Sequence, residues 1–255
     1  MRLSATRMYA VSVMLLACTV SLGAGLWHGD AFWHLANGLW MIQHHAVLHR
    51  DIWSWTAAGT PWNNLEWGYD LLMGLTYLAA GAYGPIFLTI SLAVATAAMA
   101  DKLAQRAGVT GLWRVAYWSV ALALLVHMIK LPPQMASYAL FTGMLLLMPW
   151  IESAAWKKVA GVGLLFGMAW VNLHGSFILG FLIPVFFWVA LLAFERVSKR
   201  GYLLWAGGFL VGTLITPNGP RVFWYVISEL GNPLMTQVLT GWQSPSFHVP
   251  ELIRS

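Results

Sequence analysis

The groups in this 255-residue chain that could carry acid–base or ligand chemistry are few and clustered. Asp30 and His34 stand at i and i+4, so a helix presents both to one substrate, with Asn37 and His44 or His45 on the same face. A carboxylate beside an imidazole suits proton transfer; Asp30, ahead of an amphipathic run, also suits a helix N-cap. Glu66 and Asp70 repeat the four-residue spacing. Two carboxylates in an apolar run cost free energy unless solvated, bound to a cation or partly protonated, which singles out Glu66 as a functional candidate and leaves Asp70 to solvent. A metal at His34 needs a carboxylate such as Asp30 or Glu66 brought in from elsewhere. Asp51-Ile52-Trp53-Ser54-Trp55 precedes a turn marked by Gly59 and Pro61, and Asn64 is placed to cap the next helix. Lys130 offers a compact positive charge to a phosphate, or snorkels to a membrane surface. Gln134 opens a further apolar run, and Trp170-Val171-Asn172-Leu173-His174-Gly175-Ser176 carries an Asn and a His that need partners when buried.

Composition determines which elements must position these groups. Hydrophobic residues make up 59% of the chain and charged residues 9%, against roughly 25% charged in soluble domains. With a mean hydropathy of +0.68, the expected fold class is all-α integral membrane. One cysteine excludes a disulfide scaffold. The formal charge of +5 comes without any basic run interleaved with aromatics, so nucleic acid is excluded as a partner and the scattered Lys and Arg are read as orienting the chain. Apolar runs at 8–27, 84–100, 112–129, 135–151, 158–172, 177–194 and 202–216 predict about seven transmembrane helices. An eighth run, 66–82, begins with Glu66 and Asp70.

The cations decide whether that eighth run crosses. If it does not, Arg2, Arg7, Lys102, Arg106, Arg114, Lys157, Lys158, Arg196, Lys199 and Arg200 lie inside, and only Arg50, Lys130, Arg221 and Arg254 lie outside. If it crosses, most cations move outside. The first arrangement predicts a cytoplasmic N-terminus, an uncleaved first span, a large outer loop over 28–82 containing juxtamembrane amphipathic helices, six further spans within 84–216, and an outer segment over 217–255, all in a single membrane domain, 1–255. It also places every histidine, together with Asp30, Asp51, Glu66 and Asp70, at or beyond the outer face. Seven of the 16 tryptophans fall from Trp27 to Trp67, six of them in that outer loop.

The order of a first span, Asp30-x-x-x-His34 with Gly38, Asp51, Pro61-Trp62, Glu66-Trp67, Pro133-Gln134, Trp170-x-Asn172-x-His174-Gly175-Ser176 and Trp242-Gln243-Ser244-Pro245 resembles, through essentially the whole chain, a bacterial family of multi-span membrane proteins. That family is similar to the GT-C superfamily of glycosyltransferases, which use polyprenyl-phosphate-linked sugars as donors. The resemblance implies a GT-C-like core of seven spans in the bacterial cytoplasmic (inner) membrane, with a periplasmic functional face. Asp30 matches the catalytic carboxylate, with His34 beside it, and Glu66 falls where some members carry a second acidic or metal-binding residue. Asp30 and Glu66 are thus the residues for a divalent cation (Mg or Mn). Asp51, Lys130, Gln134, Asn172, His174 and Trp242 are the candidates for binding substrate. Two departures stand out. Relatives often carry Arg immediately before Pro-Gln, where this chain has Pro132, so Lys130 would stand in for it. Relatives also continue with further spans, so the chain is expected to correspond to their N-terminal part.

The leading expectation is transfer of a sugar from a polyprenyl-phosphate donor to an acceptor at the outer face, with Asp30 as general base and carboxylates plus a cation or Lys130 neutralising the departing phosphate. The partners are then the lipid-linked sugar, the bilayer and a partner membrane subunit. The alternative is a non-catalytic membrane scaffold or subunit. A haem-handling protein is a third reading, weakened because Trp-Gly-x-x-Trp-x-Trp-Asp is absent around Trp53 and Trp55.

Overall fold

The computed structural model describes residues 8–9, 12–13, 16–17, 29–129, 131, 133–192, 199–230 and 232. Among them there is no strand, and the described residues of the expected apolar runs lie almost wholly on helix. The helices are α1 (Gly29–His44), α2 (Trp67–Ala80), α3 (Tyr83–Arg106), α4 (Gly111–Met128), α5 (Gln134–Ser153), α6 (Trp156–Leu173), a short 3-10 turn (Gly175–Phe177), α7 (Ile178–Leu192), α8 (Lys199–Thr213) and α9 (Arg221–Leu230). The described residues of the first run are helical as well. Two helices, α3 and α5, are long and apolar enough to cross a membrane. In the apolar window of α3 only 28% of residues are buried, whereas the core helix of a soluble protein hides most of its length. Phe87, Trp113 and Phe186 are 64%, 79% and 67% exposed.

The chain forms two compact units, Met1–Pro217 and Asn218–Ser255. In the second, α9 buries Val222 and exposes Trp224 and Ile227.

Small residues set the packing of the first unit. A Cβ on Gly38 of α1 would overlap the carbonyl oxygen of Asp70 in α2, and one on Gly74 would meet the backbone of Gly38. The two helices therefore touch backbone to backbone and run in the same direction, since His34 meets Asp70 where Gly38 meets Gly74. The same device joins α6 to α8. Gly163 and Gly167 abut the carbonyls of Trp205 and Phe209, while Gly208 and Gly212 abut those of Ala160 and Leu164. This is small-residue packing of the kind that lets membrane helices approach closely, and its constant offset makes α6 and α8 parallel.

Helices α3 and α5 are also parallel: Met99 reaches Gly143, and Arg106 donates to the carbonyl of Leu146 at 2.8 Å. Helix α2 starts against the C-terminal end of α6, where Gly68 abuts Asn172. It ends at Gly81, whose φ of +58 turns the chain into α3. Since α3 heads with α5 toward the far end of the unit, α2 begins and finishes at one end. Tyr69 of α2 donates its hydroxyl to the carbonyl of Leu131 at that same end.

Candidate functional site

Asp70 is the centre of the polar cluster. It is 0% exposed, and a buried carboxylate is tolerated only with hydrogen-bond donors around it. Three converge: His34 Nδ1 at 2.6 Å, Asn64 Nδ2 at 2.7 Å and Asn37 Nδ2 at 3.1 Å. His34 and Asn37 reach it from one face of α1, and the Gly38–Gly74 contact brings that face close enough. Asn64 reaches it from the segment before α2, while its Oδ1 accepts the backbone N–H of Glu66 at 3.1 Å. Asn64 therefore orders the turn into α2, but the N-cap position belongs to Glu66.

The segment between α1 and α2 folds back on the same cluster. Backbone hydrogen bonds from Trp62 to His49 and from Asp51 to Thr60 close a hairpin-like turn, with Gly59 at φ +83. Inside it Asp51 accepts from the backbone of Trp53 and Ser54 and from the Ser54 hydroxyl. Those bonds hold the Asp51 carboxyl below its usual range, the Ser54 hydroxyl contributing most. The turn aims Trp53, whose indole N–H donates to Asn37 Oδ1 at 2.6 Å. Trp33 lies against the His34 ring at 3.7 Å between centroids, and Tyr69 meets it edge-on at 6.1 Å.

With Nδ1 committed to Asp70, His34 turns Nε2 toward Glu66 Oε2 at 3.7 Å. The other Glu66 oxygen faces His174 Nε2 at 3.4 Å. Glu66 is thus a carboxylate between two imidazoles, with 22% of its side chain exposed. Burial pushes its carboxyl up from 4.5 to about 7; the His34 charge opposes the rise, and the charges of Asp70 and Asp30 add to it. Burial, helped by the His34 charge, pulls His174 down to about 4, so His174 is neutral at physiological pH. Its Nδ1 accepts the backbone N–H of Ser176 at 3.1 Å, which puts the ring proton on Nε2, facing Glu66. Behind His174, the Ser176 hydroxyl donates to Ser137 Oγ at 2.8 Å, and the Trp170 indole N–H lies within reach of both hydroxyls.

Of the residues expected from sequence to form a site, the structure brings together His34, Glu66 and His174. Asp30 lies exposed in the first turn of α1, where its charge still reaches Glu66. Asn172 is next to the cluster but fully engaged: Oδ1 accepts the Trp67 indole N–H at 2.7 Å, and Nδ2 donates to the carbonyls of Met168 and Ile215. It clamps α2 to the end of α6. Asp51 is consumed by its own turn and contributes by aiming Trp53. Gln134 is exposed at the start of α5. Lys130 and Trp242 lie outside the described residues. His44 and His45 do not share the buried face of His34: both are exposed, His44 stacked on Trp40 and His45 ending α1 at φ +50.

Asp70, expected in solvent, is instead the buried anchor, and Asn37, Asn64 and Trp53 join it. The available signal was the spacing His34-x-x-Asn37 together with a carboxylate inside an apolar run. What the sequence could not supply was the partner of that carboxylate, 36 residues away.

Beside the cluster, an apolar groove of about 480 Å3 runs between the C-terminal half of α1 and α2, lined by Met41, Ile42, Val47, Trp67, Leu71 and Leu75, with His45 at its rim. Among the described residues, no group of three or more His, Cys, Asp or Glu side chains is placed to hold a metal ion. In comparisons with known proteins, the chain matches no family model, no curated protein and no solved structure.

Proposed function

We propose that the chain is a seven-span bacterial inner-membrane protein that transfers a sugar from a polyprenyl-phosphate carrier to an acceptor at the outer face, with Glu66 as the proton-accepting group. The observation that carries this reading is the placement of Glu66, whose two oxygens face His34 Nε2 and His174 Nε2 at 3.7 and 3.4 Å at the opening of a buried polar cluster. A general base works best with a pKa near the operating pH, and burial brings Glu66 there. Asp70 fixes the His34 ring through Nδ1, so that Nε2 faces the Glu66 carboxylate. In the proposed step the acceptor hydroxyl gives its proton to Glu66 as its oxygen bonds to the anomeric carbon. The bond from that carbon to the carrier phosphate breaks, and the carrier phosphate leaves with the electron pair. The apolar groove beside Trp67 suits the carrier's hydrocarbon. Asp30, the carboxylate singled out by resemblance, acts from the exposed rim as a charge neighbour of Glu66. Both Glu66 oxygens face imidazoles, so a resident metal cage is no part of this reading; a divalent cation enters with the donor phosphate.

The test is to incubate full-length protein in vesicles with labelled polyprenyl-phosphate sugars and an acceptor extract. Transfer by the wild type and its loss in Glu66→Gln are the expected results. Equal transfer by both, or none by the wild type with any donor, overturns the proposal. A non-catalytic scaffold is the second reading, favoured by one feature: Asp70, His34, Asn37 and Asn64 satisfy one another without any ligand. It predicts that Glu66→Gln leaves co-purification with a partner subunit unchanged, while Asp70→Ala abolishes it.

A further inference from the structure

Among the described residues, the other end of α6 has no carboxylate–imidazole cluster. Helix α6 is 18 residues long, about 27 Å at 1.5 Å per residue, close to the roughly 30 Å of a bilayer's hydrocarbon core. Its first turn carries Trp156, Lys157 and Lys158. Because α8 runs parallel to α6, Arg200 in the first turn of α8 arrives at the same place. The Lys157 ammonium lies 5.4 Å, and the Arg200 guanidinium 5.9 Å, from the centre of the Trp156 ring. The indole is 50% exposed, and all three cations are exposed.

Among the described residues, which leave out 193–198 ahead of α8, no ion pair balances those charges. Neither first turn holds an acidic residue. Glu152, a described carboxylate nearby, accepts the Tyr202 hydroxyl at 2.8 Å. Among the described residues, the ion pairs involve His34, His174 and Arg114, and none of these cations. An aromatic face attracts a cation but brings no counter-charge, so two cations gathered on one ring call for an anion between them. An exposed tryptophan about one bilayer thickness from the Glu66 end is placed at headgroup level. Leu203, one turn along α8 from Arg200, is 53% exposed and extends the surface in apolar form toward the membrane interior.

We propose that Trp156, Lys157 and Arg200 bind the phosphate of an anionic phospholipid headgroup, the two cations closing on the phosphate and the lipid tail running along α8. Basic pockets between membrane helices recognise lipid phosphates in this way. The site rests on the membrane placement proposed above and not on the chemistry at Glu66, so a failure of sugar transfer leaves it standing.

The test is native mass spectrometry of the full-length protein released from mixed micelles containing phosphatidylglycerol and phosphatidylcholine. The wild type is expected to retain phosphatidylglycerol in preference, and the Lys157→Ala/Arg200→Ala variant to lose that preference at least tenfold. Lys157→Ala alone is expected to fall between them, and the charge-keeping Lys157→Arg/Arg200→Lys variant to retain it. Lys102→Ala, which removes an exposed cation at the end of α3, is expected to match the wild type. Three results overturn the proposal: an unchanged preference in the double variant, an equal loss in Lys102→Ala, or displacement of the lipid by inorganic phosphate, which would identify a soluble anion as the ligand.

Discussion

At its C-terminal end, α6 delivers Asn172 and, one step beyond, His174 to a mostly buried carboxylate; at its N-terminal end it delivers Trp156 and Lys157 to an exposed surface. The first end is satisfied from within. Asp70 takes three donors, Asn172 uses both ends of its amide, and Glu66 sits between two imidazoles. The second end holds cations over a ring, and among the described residues none of these cations is in an ion pair. The difference follows from burial. A desolvated charge must find its partners inside the protein, and where the fit is incomplete its pKa moves, as at Glu66. An exposed charge keeps its hydration and remains free to meet a ligand.

The largest expected effect of a substitution is therefore at the buried end. Asp70→Ala strands His34, Asn37 and Asn64 around an empty position, and leaving buried polar groups unpaired costs about 1–3 kcal/mol each. Thermal unfolding in detergent is expected to drop by far more than for any surface change; an unchanged midpoint contradicts the packing described. Gly38→Ala is next. Its methyl overlaps the Asp70 carbonyl, forcing α1 from α2 at a cost of about 1–3 kcal/mol, and the same melt measures it.

Glu66→Gln keeps the shape of the side chain and removes the base, so transfer is expected to fall by about 100-fold or more while the fold persists. Its pH behaviour carries a sign. Glu66 holds its proton up to about 7 in the folded chain but only to 4.5 in the unfolded one, so it makes stability fall as pH rises from about 4.5 to about 7. Melting curves across that window are expected to flatten in Glu66→Gln. His174 acts in the opposite direction: its folded value of about 4 lies below 6.5, so its contribution is lost as pH falls from 6.5 toward 4. His174→Ala also removes the N–H that faces the carboxylate. It is expected to move the rising limb of the pH–rate profile above 7, with a smaller loss of rate than Glu66→Gln. An unmoved limb contradicts the role given to His174. The smallest effect belongs to the exposed end, where Lys157→Ala in lipid-free detergent is expected to shift stability by less than about 0.5 kcal/mol.

The sequence makes α3 to α8 legible as long apolar runs and α1 as an amphipathic one, whereas α9 (Arg221–Leu230) falls in a stretch read only as an outer segment. It also points to His34, Glu66 and His174, polar groups at the edges of apolar runs. Asp70 was assigned to solvent because helical spacing compares a residue only with its own helix, and the donors that make its burial tolerable come from α1 and from Asn64. Asn172 is legible as a polar residue needing partners, and Asp51 only as a substrate-binding candidate implied by resemblance. That those partners are a tryptophan and two carbonyls in one case, and a local turn in the other, depends on tertiary geometry and on loop closure. Gly163 and Gly208 sit four residues before Gly167 and Gly212 on their packed faces, and Gly38 faces Gly74 across two helices; their meaning emerges only when the facing helix is known.

The central claim is that Glu66 is a carboxyl tuned by burial between two imidazoles. Its most direct test is infrared difference spectroscopy of full-length protein in lipid nanodiscs, titrated from pH 5 to pH 9 and compared with Glu66→Gln. The account predicts a protonated-carboxyl band that disappears with a midpoint near 7 and is absent from Glu66→Gln. A band that persists in the variant, or carboxyls that all titrate in the ordinary range near 4.5, would contradict it.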